Sequence, residues 1–138
     1  MAYAPFAHYV CFDSIILHIH FEVLTILTII LQSQAIKAGG QVYLSGQIPA
    51  DIGGNLIKGS TVEKTEAIIK NTEAILNEAG SGLDRVVKVV VYVKDARIMG
   101  DFASVYDPKF PHRPARSMVE VSSLPAGVDI QVDFIAVV

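Results

Sequence analysis

From Arg85 to Lys94 the chain alternates apolar and polar positions with a period of two. Val87, Val89, Val91 and Val93 fall on one side, Lys88 and Lys94 on the other, which predicts a half-buried strand. The same period returns at the end of the chain. Val128, Ile130, Val132, Phe134 and Ala136 alternate with Asp129, Gln131 and Asp133, predicting a last strand over Val128 to Val138. Gln41 to Ser45 is a shorter strand, punctuated by Gly39-Gly40 before it and Gly46 after it. Arg116 to Val121 is another, and Leu124-Pro125-Ala126-Gly127 turns the chain out of it. Between Ser60 and Gly80 the period changes to that of a helix. Ile68, Ile69, Thr72, Ile75, Leu76 and Ala79 share one face. Ser60-Thr61-Val62-Glu63 has the S-x-x-E spacing of a capping box, and Gly80 supplies a left-handed stop. A weaker helical pattern covers Ile98 to about Tyr106, with Asp107-Pro108 and Pro111 expected to end it.

The order strand, helix, strand, helix, strand, strand predicts an α+β fold, a mixed sheet with two helices on one face. Two helices cover only that face. A valine-rich sheet does not leave its second face to water, so self-association follows as an expectation.

The first 32 residues break this pattern. Before Lys37 there is no Lys or Arg, and the only acids are Asp13 and Glu22. Ile15 to Leu31 is nearly all apolar but is interrupted by His18, His20 and Glu22, and a membrane-crossing helix needs about 20 apolar residues. A signal peptide needs a basic start and a transit peptide needs arginines; neither is present. We read the segment as an apolar extension of high β tendency, ahead of a membrane segment. The 106 residues that follow, 33–138, form one compact domain.

Charge and residue type narrow the chemistry. A net charge of −3, without a Lys/Arg run, disfavours nucleic acid as a partner. The single cysteine, Cys11, rules out an intrachain disulfide and a cysteine metal cluster. No phosphate-binding glycine loop and no G-x-S-x-G elbow occurs. His18 and His20 at i, i+2 could chelate a metal on a strand, but in an apolar run they read as bystanders, and no metal site is expected. His112, in Phe110-Pro111-His112-Arg113-Pro114, reads as a solvated turn histidine. Arg116 opens a strand after Pro114-Ala115. It can pair with Asp129 or Asp133 on a neighbouring strand, or clamp a substrate carboxylate with its planar fork.

Six blocks carry a resemblance: Ser33-Gln34-Ala35-Ile36, Val42 to Pro49, Val87 to Asp95, Pro114-Ala115-Arg116-Ser117, Leu124-Pro125 and Ile135-Ala136-Val137. In order and spacing they resemble the RidA (YjgF) family of small imine deaminases, from Ser33 to Val138. The resemblance implies a chorismate-mutase-like α+β domain, a homotrimer, and ligand sites in the clefts between subunits. It implies hydrolysis of 2-imino acids, released as enamines by pyridoxal-phosphate enzymes, to 2-keto acids and ammonia, without a cofactor. Arg116 matches the family arginine that grips the substrate carboxylate. Ser45 and Gly46 match the strand end whose backbone lines the pocket. Met118 stands where many relatives have a cysteine. Cytosol is the expected compartment, with the mitochondrion as the alternative.

The chain also departs from the family. Gln131 takes the place of a carboxylate, usually Glu, that handles the attacking water, and an amide cannot take a proton. Asp129 and Asp133 share its strand face, each displaced by about 6–7 Å. Ile30-Leu31-Gln32 replace Gly-Pro-Tyr, and the second helix is about three residues, nearly a turn, shorter. These departures leave a second reading open, a weak or silent relative that binds small carboxylates or acts through its surfaces. They also suggest a gene-model or splicing origin for Met1 to Gln32, such as translated intron sequence. An authentic mRNA encoding that segment without a family-like alternative would overturn this origin.

Overall fold

In the computed structural model the described residues are 33–138, together with the short strand Leu17–Ile19. Residues 1–16 and 20–32, and so His8, Cys11 and His20, lie outside them. The elements run β1 (Leu17–Ile19), β2 (Ala35–Ala38), β3 (Gln41–Leu44), α1 (Thr61–Glu78), β4 (Val86–Val93), α2 (Met99–Lys109), β5 (Ala115–Glu120) and β6 (Ile130–Val137). They build one mixed sheet in the order β1-β2-β3-β6-β4-β5. Only β4 and β5 pair in parallel, across the α2 crossover; the other neighbours are antiparallel.

The period-two pattern places the core. Val42 and Leu44 of β3, Val89, Val91 and Val93 of β4, and Ile130, Val132, Phe134 and Ala136 of β6 are buried on one face. Against them pack Ile68, Ile69, Ile75 and Leu76 of α1 and Phe102 of α2. The α1 stripe is the one predicted, and its ends behave as predicted. The Ser60 side chain accepts from the Glu63 N–H while the Glu63 carboxylate accepts from the Ser60 N–H. Gly80 adopts φ +77. Both helices lie on this face, as expected.

Four details differ from the sequence reading. The segment before β3 holds a further strand, β2, joined to it by Gly39 and Gly40 at φ +57 and +76. Two consecutive positive φ values are what a tight two-residue hairpin needs, so these glycines make the turn rather than merely precede a strand. In β4 the pairing with β6 slips between Val86 and Lys88. This bulge buries Val86 and turns Val87 outward, 41% exposed. Helix α2 runs through Pro108 to Lys109. Its last turn survives because the Phe110 N–H bonds to the Tyr106 carbonyl at 3.2 Å and the two rings stack at 4.3 Å. Finally, Asp129 does not share the face of Gln131; it pairs with Lys64 of α1 at 2.8 Å.

The second face of the sheet carries Tyr43, Lys88, Val90, Tyr92, Ser117, Val119, Gln131, Asp133 and Ile135, all partly or well exposed. Tyr43 and Val119 are 42% and 45% exposed. Among the described residues no helix is long and apolar enough to cross a membrane.

Candidate functional site

Arg116 sits on the edge strand β5. Its parallel register opposite the buried Val89 turns it to the helix-covered side of the sheet. There α2 presents Phe102 and Tyr106, and the residue just past its end adds Phe110, at i, i+4 and i+8, stacked with centroids 5.1 and 4.3 Å apart. The Arg116 guanidinium lies over the Tyr106 ring, 4.9 Å from its centroid, a cation–π arrangement. One N–H donates to Asp107 at 3.2 Å. The fork has five donors, so most of it remains for a ligand. Of the two partners open in the sequence, Asp129 belongs to Lys64 and Asp133 lies on the opposite face; α2 supplies Asp107 instead.

This guanidinium opens on a cavity of about 620 Å³ lined by Tyr106, Asp107, Phe110, Pro111, Arg113, Pro114 and Arg116. Arg113 holds φ +54, rare for a side-chain-bearing residue, with its N–H bonded to the Phe110 carbonyl at 3.0 Å. His112 is an exposed turn residue, as the sequence predicts, and its ring Nε2 lies 2.9 Å from the Val86 carbonyl oxygen, tying the loop to β4. Burial pushes the Tyr106 phenol up to about 12, against a smaller downward pull from Arg116 and a further upward push from Asp107. Its hydroxyl therefore stays protonated. Met118, two residues along the same face, packs half-buried against the core and is not among the residues lining the cavity.

Ser45, Gly46 and Gln131 assemble elsewhere, on the open face. Tyr43 pairs with Ile135 and Gln47 with Val132, so the Ser45-Gly46 segment carries one more residue than the strand it faces. It bulges. The Ser45 N–H bonds to the Gln34 carbonyl at 2.9 Å, and its hydroxyl donates to the Ser33 carbonyl at 2.5 Å. Gly46 comes so close to β6 that a Cβ on it would clash with Gln131 Nε2 and stand 3.1 Å from Asp133 Oδ1. Gln131 Nε2 lies 3.5 Å from Asp133 Oδ1. Beside them, across the β4–β6 pair, the Asp133 carboxylate and then burial push the Tyr92 phenol above its ordinary value.

The residues singled out in the sequence thus fall into two groups, on opposite faces of one sheet. Arg116 and Met118 are on one, Ser45, Gly46 and Gln131 on the other. The sequence reading missed Tyr106, Asp107 and Arg113 as companions of Arg116. The aromatic spacing of α2 was the available signal for Tyr106. Among the described residues no three His, Cys, Asp or Glu side chains gather as a metal site.

Known proteins share this architecture. Residues 26–138 match the family model described as Endoribonuclease L-PSP. The mitochondrial protein MMF1 of Saccharomyces cerevisiae is 46% identical over 106 residues, 76% of this chain and 73% of its own. A RutC family protein of Pyrococcus abyssi is 46% identical over 106 residues, 75% of this chain and 84% of its own. The crystal structure of RidA from an Antarctic Psychrobacter superposes with a TM-score of 0.80 at 29% identity, covering 88% of this chain and 98% of that one. Escherichia coli TdcF, solved with bound serine, gives 0.73 at 28% identity over 78% and 88% of the two chains. Sequence and fold agree: the chain belongs to the Endoribonuclease L-PSP family, which includes RidA and YjgF.

Proposed function

We propose that this protein hydrolyses reactive 2-imino acids to 2-keto acids and ammonia, with Arg116 anchoring the substrate carboxylate. The observation that carries the reading is the Arg116 fork, held over Tyr106 at the mouth of a cavity with most of its donors unspent. Serine bound to TdcF is a small amino acid with the carboxylate such a fork recognises. The chemistry asked of the protein is modest. An imine carbon is already electrophilic, so the site needs to fix the substrate, aim a water and relieve it of a proton. No cofactor enters this scheme.

The division of the site between two sheet faces supports assembly. A ligand held by Arg116 of one copy meets Ser45, Gly46 and Gln131 only on another copy, whose open apolar face then also finds cover. A homotrimer with clefts between subunits is the arrangement we propose. Gln131 favours a second reading, a catalytically weak or silent trimer that binds small carboxylates, because its amide orients water without accepting a proton. The name of the yeast relative places that protein in the mitochondrion; for this chain the cytosol and the mitochondrion are alternatives that cell fractionation separates.

The test couples the protein to a dehydratase that releases 2-aminoacrylate and follows pyruvate. Acceleration by the wild type, lowered about 100-fold in kcat/KM by Arg116→Ala, is expected from removing the charged, bidentate partner of the substrate carboxylate. A folded trimer that gives no acceleration overturns the enzyme reading in favour of the binding one.

A further inference from the structure

We propose that Asp133, not Gln131, is the proton-accepting catalytic residue of this chain; the inference rests on the deaminase reading above. It starts from the notch at Gly46. A Cβ there would collide with Gln131 Nε2 and come within 3.1 Å of Asp133 Oδ1. Only a glycine lets both side-chain ends reach the same point beside the bulged Ser45-Gly46 backbone, the segment proposed to line the substrate pocket. Along an extended strand, residues two apart are separated by about 6–7 Å, and by that measure Asp133 stands too far away to serve. The side chains cancel that distance. Gln131 and Asp133 point to the same face of β6 and lean together to 3.5 Å.

Their chemistry is complementary. The Gln131 amide NH₂ donates and the Asp133 carboxylate accepts. A water in the notch would receive a hydrogen bond from the first and give its proton to the second. The other acid the sequence offered, Asp129, is held by Lys64 of α1. Asp133 pairs across the sheet with Val90 of β4, the Tyr92 side chain from the neighbouring pair reaches its carboxylate, and Lys88, further along that strand, donates to Ser117 at 3.0 Å. Asp133 is thus the carboxylate that reaches the notch.

The reaction balances on this residue. The water oxygen forms a bond to C2 of the protonated imine, the C=N π pair moves to nitrogen, and Asp133 takes the water proton. Asp133 then returns it to the amino nitrogen of the resulting carbinolamine. The C–N bond breaks, ammonia leaves with the electron pair, and the remaining hydroxyl proton is lost to Asp133 as the ketone forms.

The experiment uses the full chain in the coupled 2-aminoacrylate assay, with Arg116→Ala, Asp133→Asn, Asp133→Glu and Gln131→Ala compared to the wild type. Loss of a general base costs on the order of 10²–10⁴-fold. Asp133→Asn is expected to lower kcat by at least that lower bound with KM within about threefold, while Asp133→Glu keeps at least a tenth of the activity. Gln131→Ala is expected to lose less than about tenfold. If Asp133 only positioned Gln131, Gln131→Ala would match Asp133→Asn, and the assignment falls. It falls alone if activity is lost in Arg116→Ala but kept in Asp133→Asn. A wild type without acceleration overturns the assignment together with the deaminase reading. Should Asp133→Asn not fold, a full kcat loss in folded Asp133→Glu overturns it, and retained activity supports it.

Discussion

Tyr106 carries its hydroxyl into a place where no described side chain or backbone group receives it. A buried donor left unpaired costs roughly 1–3 kcal/mol. Tyr106→Phe, which keeps the ring stack and the cation–π face, is therefore expected to gain about 1 kcal/mol in urea unfolding at neutral pH. A loss of that size would mean that the hydroxyl finds a partner in the assembled protein. The same residue sets an alkaline limit. Its folded pKa, about 12, lies above the ordinary value of 10. The unfolded chain then releases the proton first, so stability is full below pH 10 and falls as pH rises from 10 to about 12. Tyr106→Phe should flatten that decline, and an unchanged slope would assign it to other groups. Arg116 shows the reach of sequence reading at this scale. Its strand position was legible. Its contacts with Tyr106 and Asp107 were not, because they depend on how α2 packs against β5.

At the scale of elements, legibility followed periodicity and local chemistry. Helix α1 was legible from cap to stop because its apolar stripe and its capping residues are all written within one segment. Strand β2 was not, since Ala35-Ile36-Lys37-Ala38 is short and poor in β-branched residues. It exists because Gly39 and Gly40 fold it back on β3. The end of α2 was misplaced for a similar reason. Pro108 is a local signal to stop, and the nonlocal stack of Phe110 on Tyr106 and Phe134 outweighs it. The bulge in β4 likewise depends on its partner strand, so Val87 could not be distinguished from Val89 in sequence. The legible cap invites a direct test. Ser60→Ala removes the acceptor for the Glu63 N–H and is expected to cost about 1 kcal/mol in thermal or urea unfolding. A change below about 0.3 kcal/mol would show that α1 is held by its buried stripe alone.

For the whole molecule, the open sheet face is the surface on which the proposed assembly rests. Tyr43, Val90, Tyr92, Val119 and Ile135 lie on it, on the face away from α1 and α2. Light scattering is expected to give three times the 14.9 kDa chain mass. Ile135→Asp, which sets a charge between Tyr43 and Lys88, is expected to yield monomers that have lost activity while keeping their secondary structure. An active monomer would mean that one copy suffices. The parallel pairing of β5 with β4 has a consequence of another kind, for which sequence changes a lineage can accept. Each residue of β5 faces away from its neighbours, so a slip of one position would exchange Arg116 for Ser117 and swing the guanidinium to the far side of the sheet. Whole-turn insertions or deletions in α2 can be absorbed, because they keep Tyr106 on the same helix face and because β4, and not the length of the connection, sets the register. Within β5 itself a single-codon insertion or deletion ahead of Arg116 would silence the site while leaving a folded protein. Lineages should therefore vary in length before Pro114 and hold it fixed from there to Glu120.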